Sequence, residues 1–488
     1  MTETHLSPTA SLNLEYYKKQ AKALLKAGRA GDPAARARLR LFKTGEDMAL
    51  HTAQRAVAHE QGFASWPKFQ AFIIESKLDF QGLVTRFIAA ATSDGRRARD
   101  LLADHPELEG AGVYVALVLG GWEKVAEAIA ADPDWVTAKS GPENVEPLVY
   151  VCFSRFAHPR NPRAARLALT ARLLLENGAD PDTAFEGEDG RLSCLYAASG
   201  LLNNTELTRV LLEAGADPDD DESLYHATEH ADLACLRLLL EHGGDANSTN
   251  VLNHMLDWES PDGVRLLLEA GADPDAAHPE GDTALHWAVR RGRSAGIVRM
   301  LIDAGADIDA VRGDGRTAYA LAVVSGQAEV AALLEERGAD ARLSPLDAFV
   351  AGRGGEVPEA SAKSRANARL ITQLAESGNV DAVAALLKAG VPVDARGDGG
   401  ITALHYACWR GNTAMVRLLV DAGAPLDVKD EMYGATPAGF LHHGSANCGE
   451  GDYAASALIL IDAGGWTEST PSGNAELDAV LREKGLIG

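Results

Sequence analysis

The sequence predicts an all-α, stacked-repeat solenoid closed by helical caps, and three observations predict it. Related segments ending in Gly-Ala-Asp or a variant recur, their glycines at Gly178, Gly215, Gly243, Gly271, Gly305, Gly338, Gly390, Gly423 and Gly464. The intervals are 37, 28, 28, 34, 33, 52, 33 and 41 residues, a unit of 33–34 with deletions and insertions, and self-similarity at such a period marks a repeat array. Each unit also carries two short apolar stripes of helical period separated by a glycine. Finally, 488 residues are too many for one compact core unless the core itself is repeated.

The first element is residues 1–80. Here Leu14, Tyr17, Ala21, Leu24 and Leu25 fall on one helical face and Lys18, Lys22 and Lys26 on another. A helical capping module is expected, because the ends of a repeat array need covering. The lysine stripe alternatively offers a docking surface for an acidic partner. Residues 1–80 hold 12 Lys/Arg against 8 Asp/Glu, so the net charge of −24 leaves −28 on the remainder. An acidic body repels phosphate backbones, which argues against nucleic acid and favours basic or neutral partners.

Residues 81–467 are read as the array, about eleven or twelve units, several of them degenerate. The best-preserved units are 281–310 and 400–427. Thr283 and Thr402 suit helix N-caps. Leu285, Ala288 and Val289 give a short apolar face before Gly292 breaks the helix. Val298, Leu301 and Ile302 give a second face, and Gly305 suits a left-handed C-cap. An Asp-Gly turn follows in VRGDGRT, so Arg312-Gly313-Asp314 belongs to a projecting finger rather than to an adhesion tripeptide. Residues 468–488 read as a closing cap helix.

The stretches Thr283-Ala284-Leu285-His286-Trp287-Ala288 and Thr402-Ala403-Leu404-His405-Tyr406-Ala407 resemble the T-P-L-H-x-A motif of the ankyrin repeat, with alanine in place of proline. The resemblance covers roughly residues 82–467. It implies paired antiparallel helices and turn fingers lining a concave face, with His286 and His405 as structural hydrogen-bonders. Residues 1–80, with Gly62-Phe63-Ala64-Ser65-Trp66-Pro67, resemble a helical module that precedes such repeats in many bacterial proteins.

Insertions expected as surface loops lie at 156–165 and 352–369, and another lies around Ala446–Tyr453. In the last, Asn447 and Asp452 are expected to bond backbone. His442, His443, Cys448 and Asp452 invite a metal reading, but adjacent histidines point about 100° apart on a helix and no cysteine pair supports zinc. The five cysteines form no CxxC pair and are read as reduced. No signal peptide is expected and no run of 18 apolar residues spans a membrane. Phosphate loops, dinucleotide fingerprints, nucleophile elbows and HExxH are absent, so no cofactor and no catalytic residue is assigned.

Function is sought where the array breaks its own rule. The two 28-residue intervals lack five residues, those of the finger, so helices starting near 223 and 251 are expected to stack without a finger before them. The variable columns there hold His226 and Glu229, then His254 and Asp257, with Trp258 beside them, then Trp287 and Arg290. Residues three apart share a helix face, and neighbouring helices pack about 8–10 Å apart, so these side chains can meet on one ligand. A secondary groove candidate is Tyr406, Trp409 and His443. The expected function is a cytoplasmic scaffold binding a protein partner through the concave face. The alternative is an enzyme or a small-ligand or metal-binding protein using the polar groove of the units at 219–291.

Overall fold

The structure, a computed structural model, describes residues 13–42, 49–187, 190–276, 281–354, 357, 365–449 and 451–487. Two compact units result, Gln81–Glu356 and Met1–Phe80 together with Val357–Gly488. Both are helical, and the expected all-α repeat class holds.

In the second unit, helices Leu14–Arg29, Pro33–Arg40, Leu50–Glu60 and Trp66–Glu75 enclose a small core of Tyr17, Ala21, Leu39, Val57, Phe69 and Ile73. Tyr17, Ala21 and Leu24 are inward at helical spacing. Asn13, Asp32 and Ser65 cap their helices with side-chain oxygens. The rest of this unit is built of helices Arg365–Glu376, Val380–Lys388, Ala403–Trp409, Thr413–Asp421, Pro437–Asn447, Tyr453–Asp462 and Ala475–Glu483. The surface loop expected over 352–369 therefore ends earlier, since 365–369 are helical; 355–356 and 358–364 lie outside the described residues. In the insertion at 446–453, of which residue 450 is likewise undescribed, Asn447 Nδ2 donates to the His443 carbonyl and Asp452 Oδ1 accepts the Ala455 amide.

The unit Gln81–Glu356 displays the repeat most regularly. Helix pairs such as Ala284–Arg290 with Ala295–Asp303, and Ala318–Val324 with Ala328–Glu336, bury Leu285, Ala288, Val298 and Leu301 completely. Gly215, Gly243, Gly271, Gly305 and Gly338 all take φ between 93° and 100°, the left-handed turn that ends each second helix. Thr283 and His286 form a reciprocal cap: imidazole Nδ1 accepts the Thr283 amide at 3.2 Å while Nε2 bonds the Arg316 carbonyl of the next repeat. Thr402 and His405 repeat the arrangement with Ala435. The insertion at 156–165 is not wholly a surface loop, because Phe156 and Ala157 are buried.

Two polar features tie these repeats together. After each left-handed glycine the sequence continues Ala-Asp-x-Asp or a close relative. The second acidic residue accepts the amide of the first acidic residue one repeat later: Asp182 from Asp217, Asp219 from Asp245, Asn247 from Asp273, Asp275 from Asp307 and Asp309 from Asp340, at 2.7–2.9 Å. Inside, Arg312 is buried with its guanidinium between Asp282 and Asp314, and Arg316 bridges Asp314 to Asp347. Burial alone would raise the Asp314 pKa, but the two guanidiniums outweigh it and hold the carboxyl below its ordinary value.

Over 197–250 the array is irregular. A π-helical turn spans Ala197–Leu201, and Asn203, Asp221, Thr249 and Asn250 take positive φ. First helices shrink to Ser223–Ala227 and Val251–Met255, and among the described residues neither is preceded by a closing hydrogen bond such as Arg312 N–H to the Arg316 carbonyl, which marks the finger before Ala318–Val324. Among the described residues the one two-stranded ribbon is Ala184–Gly187 with Gly190–Ser193.

Candidate functional site

The first candidate row is brought together, and it closes on itself. His226 sits between two carboxylates of its own helical segment, Glu222 at 3.1 Å and Glu229 at 3.0 Å. His254 lies flat on Tyr225, ring centroids 3.6 Å apart, and its Nδ1 meets Thr228 Oγ1 at 2.7 Å. The ring is buried, and desolvation lowers its pKa. Asp257 accepts the Trp287 indole N–H at 2.9 Å and pairs with Arg291 at 2.6 Å. Both Arg290 and Arg291 stand over the Trp287 ring, 5.0 and 5.3 Å from its centroid. Arg290 also reaches toward buried Asp282, 3.9 Å away. Trp258 remains exposed.

The sequence columns thus predicted the neighbourhood but missed Tyr225, Thr228 and Arg291, which hold His254 and Asp257 in place. Among the described residues no group of three His, Cys, Asp or Glu is arranged to hold a metal ion.

The second candidate trio lines a real cleft. A cavity of about 530 Å³ is walled by Tyr406 and Trp409 of one first helix, Phe440 and His443 of the next, and Met432 and Tyr433 of the intervening finger, with Ile401 and Glu376 completing it. The His443 ring stacks on Trp409 at 5.4 Å and 29°, and Phe440 meets Trp409 edge-on at 6.3 Å. Tyr433 approaches Phe440 at 6.2 Å.

The finger that carries Met432 and Tyr433 is held by Asp430. Its carboxylate accepts the amides of Met432, Tyr433 and Ala435 at 2.7–2.8 Å. Burial opposes ionisation there, but the three amides prevail and the pKa falls below the ordinary value. The Glu431 amide bonds the Gly399 carbonyl of the preceding finger at 2.8 Å. A side chain on Gly399 would meet Met432 at 2.7 Å. Although well anchored, the finger leaves Met432 62% and Tyr433 73% exposed, unusual for large apolar side chains.

Sequence reasoning found three of these residues and missed Glu376, Met432, Tyr433 and Phe440. The signal was available. Glu376 stands 33 residues before Trp409, one repeat length, in the column that Asp257 occupies in its own unit. Met432-Tyr433 is an aromatic-apolar pair at a finger tip, where polar turn residues are the norm.

Two family models match the chain: ankyrin repeats (3 copies) over residues 252–344, and ankyrin repeats (many copies) over residues 371–420. A search of the curated proteins finds no match. The first match spans Asp257, Trp287 and Arg290; the second includes Glu376, Tyr406 and Trp409.

Proposed function

In a chain that carries ankyrin repeats, modules that generally join one protein to another, we propose an interaction protein that grips a polypeptide segment of its partner in the cleft around Tyr406, Trp409 and His443. The observation that carries this reading is the cleft itself: about 530 Å³, aromatic on both sides, fronted by a braced finger with two exposed apolar side chains. Aromatic anchors in partly desolvated pockets supply most interface energy, and the finger is already ordered, so little of that energy is lost in fixing it. A reducing compartment such as the cytoplasm fits this reading, since the five cysteines are free and Cys152, Cys194, Cys235 and Cys408 are buried.

A second reading keeps the row His226, Glu229, His254, Asp257, Trp258, Trp287 and Arg290 as a recognition surface for a polar ligand. It is favoured by exposed Trp258 and by the positive-φ residues that cluster nearby, since backbone strain concentrates at functional sites. Its polar groups largely satisfy one another, which weakens it. The test is a display selection of random peptides on the full chain. Binding is expected to fall with Tyr433→Ala and to survive Asp257→Ala; the opposite pattern would transfer the function to the row.

A further inference from the structure

We propose that the cleft takes a trimethylated lysine side chain of the partner, held by its quaternary ammonium; the inference rests on the cleft being the docking site. The observation that points to it is the arrangement of the rings. Phe440 meets Trp409 at 6.3 Å and 71°, and Tyr433 at 6.2 Å and 64°. The three rings are therefore adjoining walls inclined to one another, not a stack. His443 backs Trp409 at 5.4 Å and 29°, and Tyr406 lines the same space. A ring face is the negative end of its quadrupole, and a cation within about 6 Å of a ring centroid is drawn to it. Walls set this closely and this steeply let one cation meet several rings at once, so the complementarity is one of charge as well as shape.

The same array places cations on an aromatic of the same column elsewhere. Counting from the motif histidine, Trp287 and Tyr406 are one residue on, and Arg290 and Trp409 are four residues on. Arg290 and Arg291 stand over the Trp287 ring, 5.0 and 5.3 Å from its centroid. In the cleft the column of Arg290 holds Trp409 instead, and among the described residues no lysine or arginine lines the cavity. The aromatic surface is larger there, and the cation is left for the partner to bring. Its kind follows from the rest of the wall. A guanidinium or a primary ammonium carries N–H donors that lose water on entering and need acceptors in return. Glu376, the one carboxylate of the lining, already has an interaction of its own within the fold. The other lining residues are neutral or titrate only as imidazole. A trimethylammonium strands no N–H group, and its methyls pack on carbon while its charge meets the rings. The four-carbon stem behind it suits apolar walls such as Ile401 and Met432.

The test presents the full chain to three immobilised heptapeptide libraries. They are random except at the central residue, which is lysine, trimethyllysine, or the neutral isostere of trimethyllysine with carbon in place of nitrogen. Peptides recovered are then titrated with each of the three central residues in the same flanks. Trimethyllysine is expected to bind about tenfold tighter than the isostere, which keeps the shape and loses the charge, and tighter than lysine by a similar factor. Tyr433→Leu, at the exposed finger tip, keeps an apolar side chain and removes a ring; it should reduce the preference over the isostere several-fold, and Tyr433→Phe should restore it. Trp409→Leu should reduce it as well, with helicity and melting checked against the parent. Peptides that are lost with Tyr433→Ala yet bind equally well with the isostere, or with lysine, would overturn the trimethyllysine specificity and leave the docking site standing. Peptides indifferent to Tyr433→Ala and Trp409→Leu, or no recovery from any library, whether or not choline binds, would overturn both.

Discussion

Replacing Arg312 by methionine tests whether the buried ion network holds the repeats together. The guanidinium is wholly buried between Asp282, which is equally inaccessible, and Asp314, whose side chain is nearly so. Methionine keeps much of the stem and removes the charge, stranding two carboxylates. Removing one partner of a buried pair costs ~3–5 kcal/mol. Two other cations soften the loss here: Arg316 stays 3.1 Å from Asp314, and Arg290 stays 3.9 Å from Asp282. The lower end, about 3 kcal/mol, is therefore expected.

Repeat arrays open locally rather than all at once, so the readout is hydrogen exchange of amides in Ala284–Arg290 and Ala318–Val324, compared with intrinsic rates. A loss of 3 kcal/mol corresponds to exchange about a hundredfold faster. The control is Arg337→Met at the exposed pair with Asp303, expected to change stability by ~0.5 kcal/mol or less.

The sign of the pH dependence is fixed too. Asp314 has a depressed pKa in the parent, so its contribution is complete above the unfolded value, about 3.9, and is lost as pH falls through the folded value. In the variant the stranded carboxylates gain by taking up protons, so the deficit should be largest at pH 7 and narrow toward pH 4. A deficit no greater than that of the control, or one equal at both pH values, would refute the reasoning.

Three further outcomes follow from the geometry. Burial lowers the pKa of His286 and His405, so stability should be full above about pH 6.5, where unfolded histidine is neutral, and fall as pH drops from there toward the folded values; melting curves from pH 7.5 to 5 should flatten in the His286→Gln/His405→Gln double variant. Gly444→Ala would put a Cβ 2.3 Å from the Trp409 carbonyl oxygen, so a loss of ~1–3 kcal/mol is expected by denaturant titration, together with weaker peptide capture. Of the five cysteines, Cys448 alone is part-exposed; a thiol reagent on the folded protein should label it first, and rapid labelling of Cys152 or Cys408 would contradict their burial.

Much of the fold was legible because each device is local. Thr283 caps because Thr-x-x-His follows it, and the left-handed glycines end helices because only glycine takes that φ without strain. The absent finger was legible as a count of residues. The start of the helix Arg365–Glu376 was hidden, because serine, glycine and arginine in the preceding stretch give no apolar period. The site was legible only as columns. Spacing brought Asp257 next to Trp287, but whether a polar row faces solvent or pairs internally is a matter of rotamers and cross-repeat contacts. Tyr225 covering His254 and Arg291 reaching Asp257 decide that, and neither is written in periodicity. Likewise Tyr406 and Trp409 were visible as large side chains in variable columns, while the opposite wall came from a finger and the next helix.

The carboxylate-to-amide chain from Asp182 to Asp340 bears on how such a protein can change. Its links span 35, 26, 26, 32 and 31 residues, yet each closes at 2.7–2.9 Å. Stacking register is thus set beside the left-handed glycines and does not depend on how much chain separates one link from the next. A finger can be shortened, lost or elaborated while the neighbouring helices keep their places. Asn247, which accepts the Asp273 amide as an aspartate would, indicates that the link asks for an oxygen rather than a charge. In this design the finger tips are free to vary in length and sequence, and the frame that presents them stays constant.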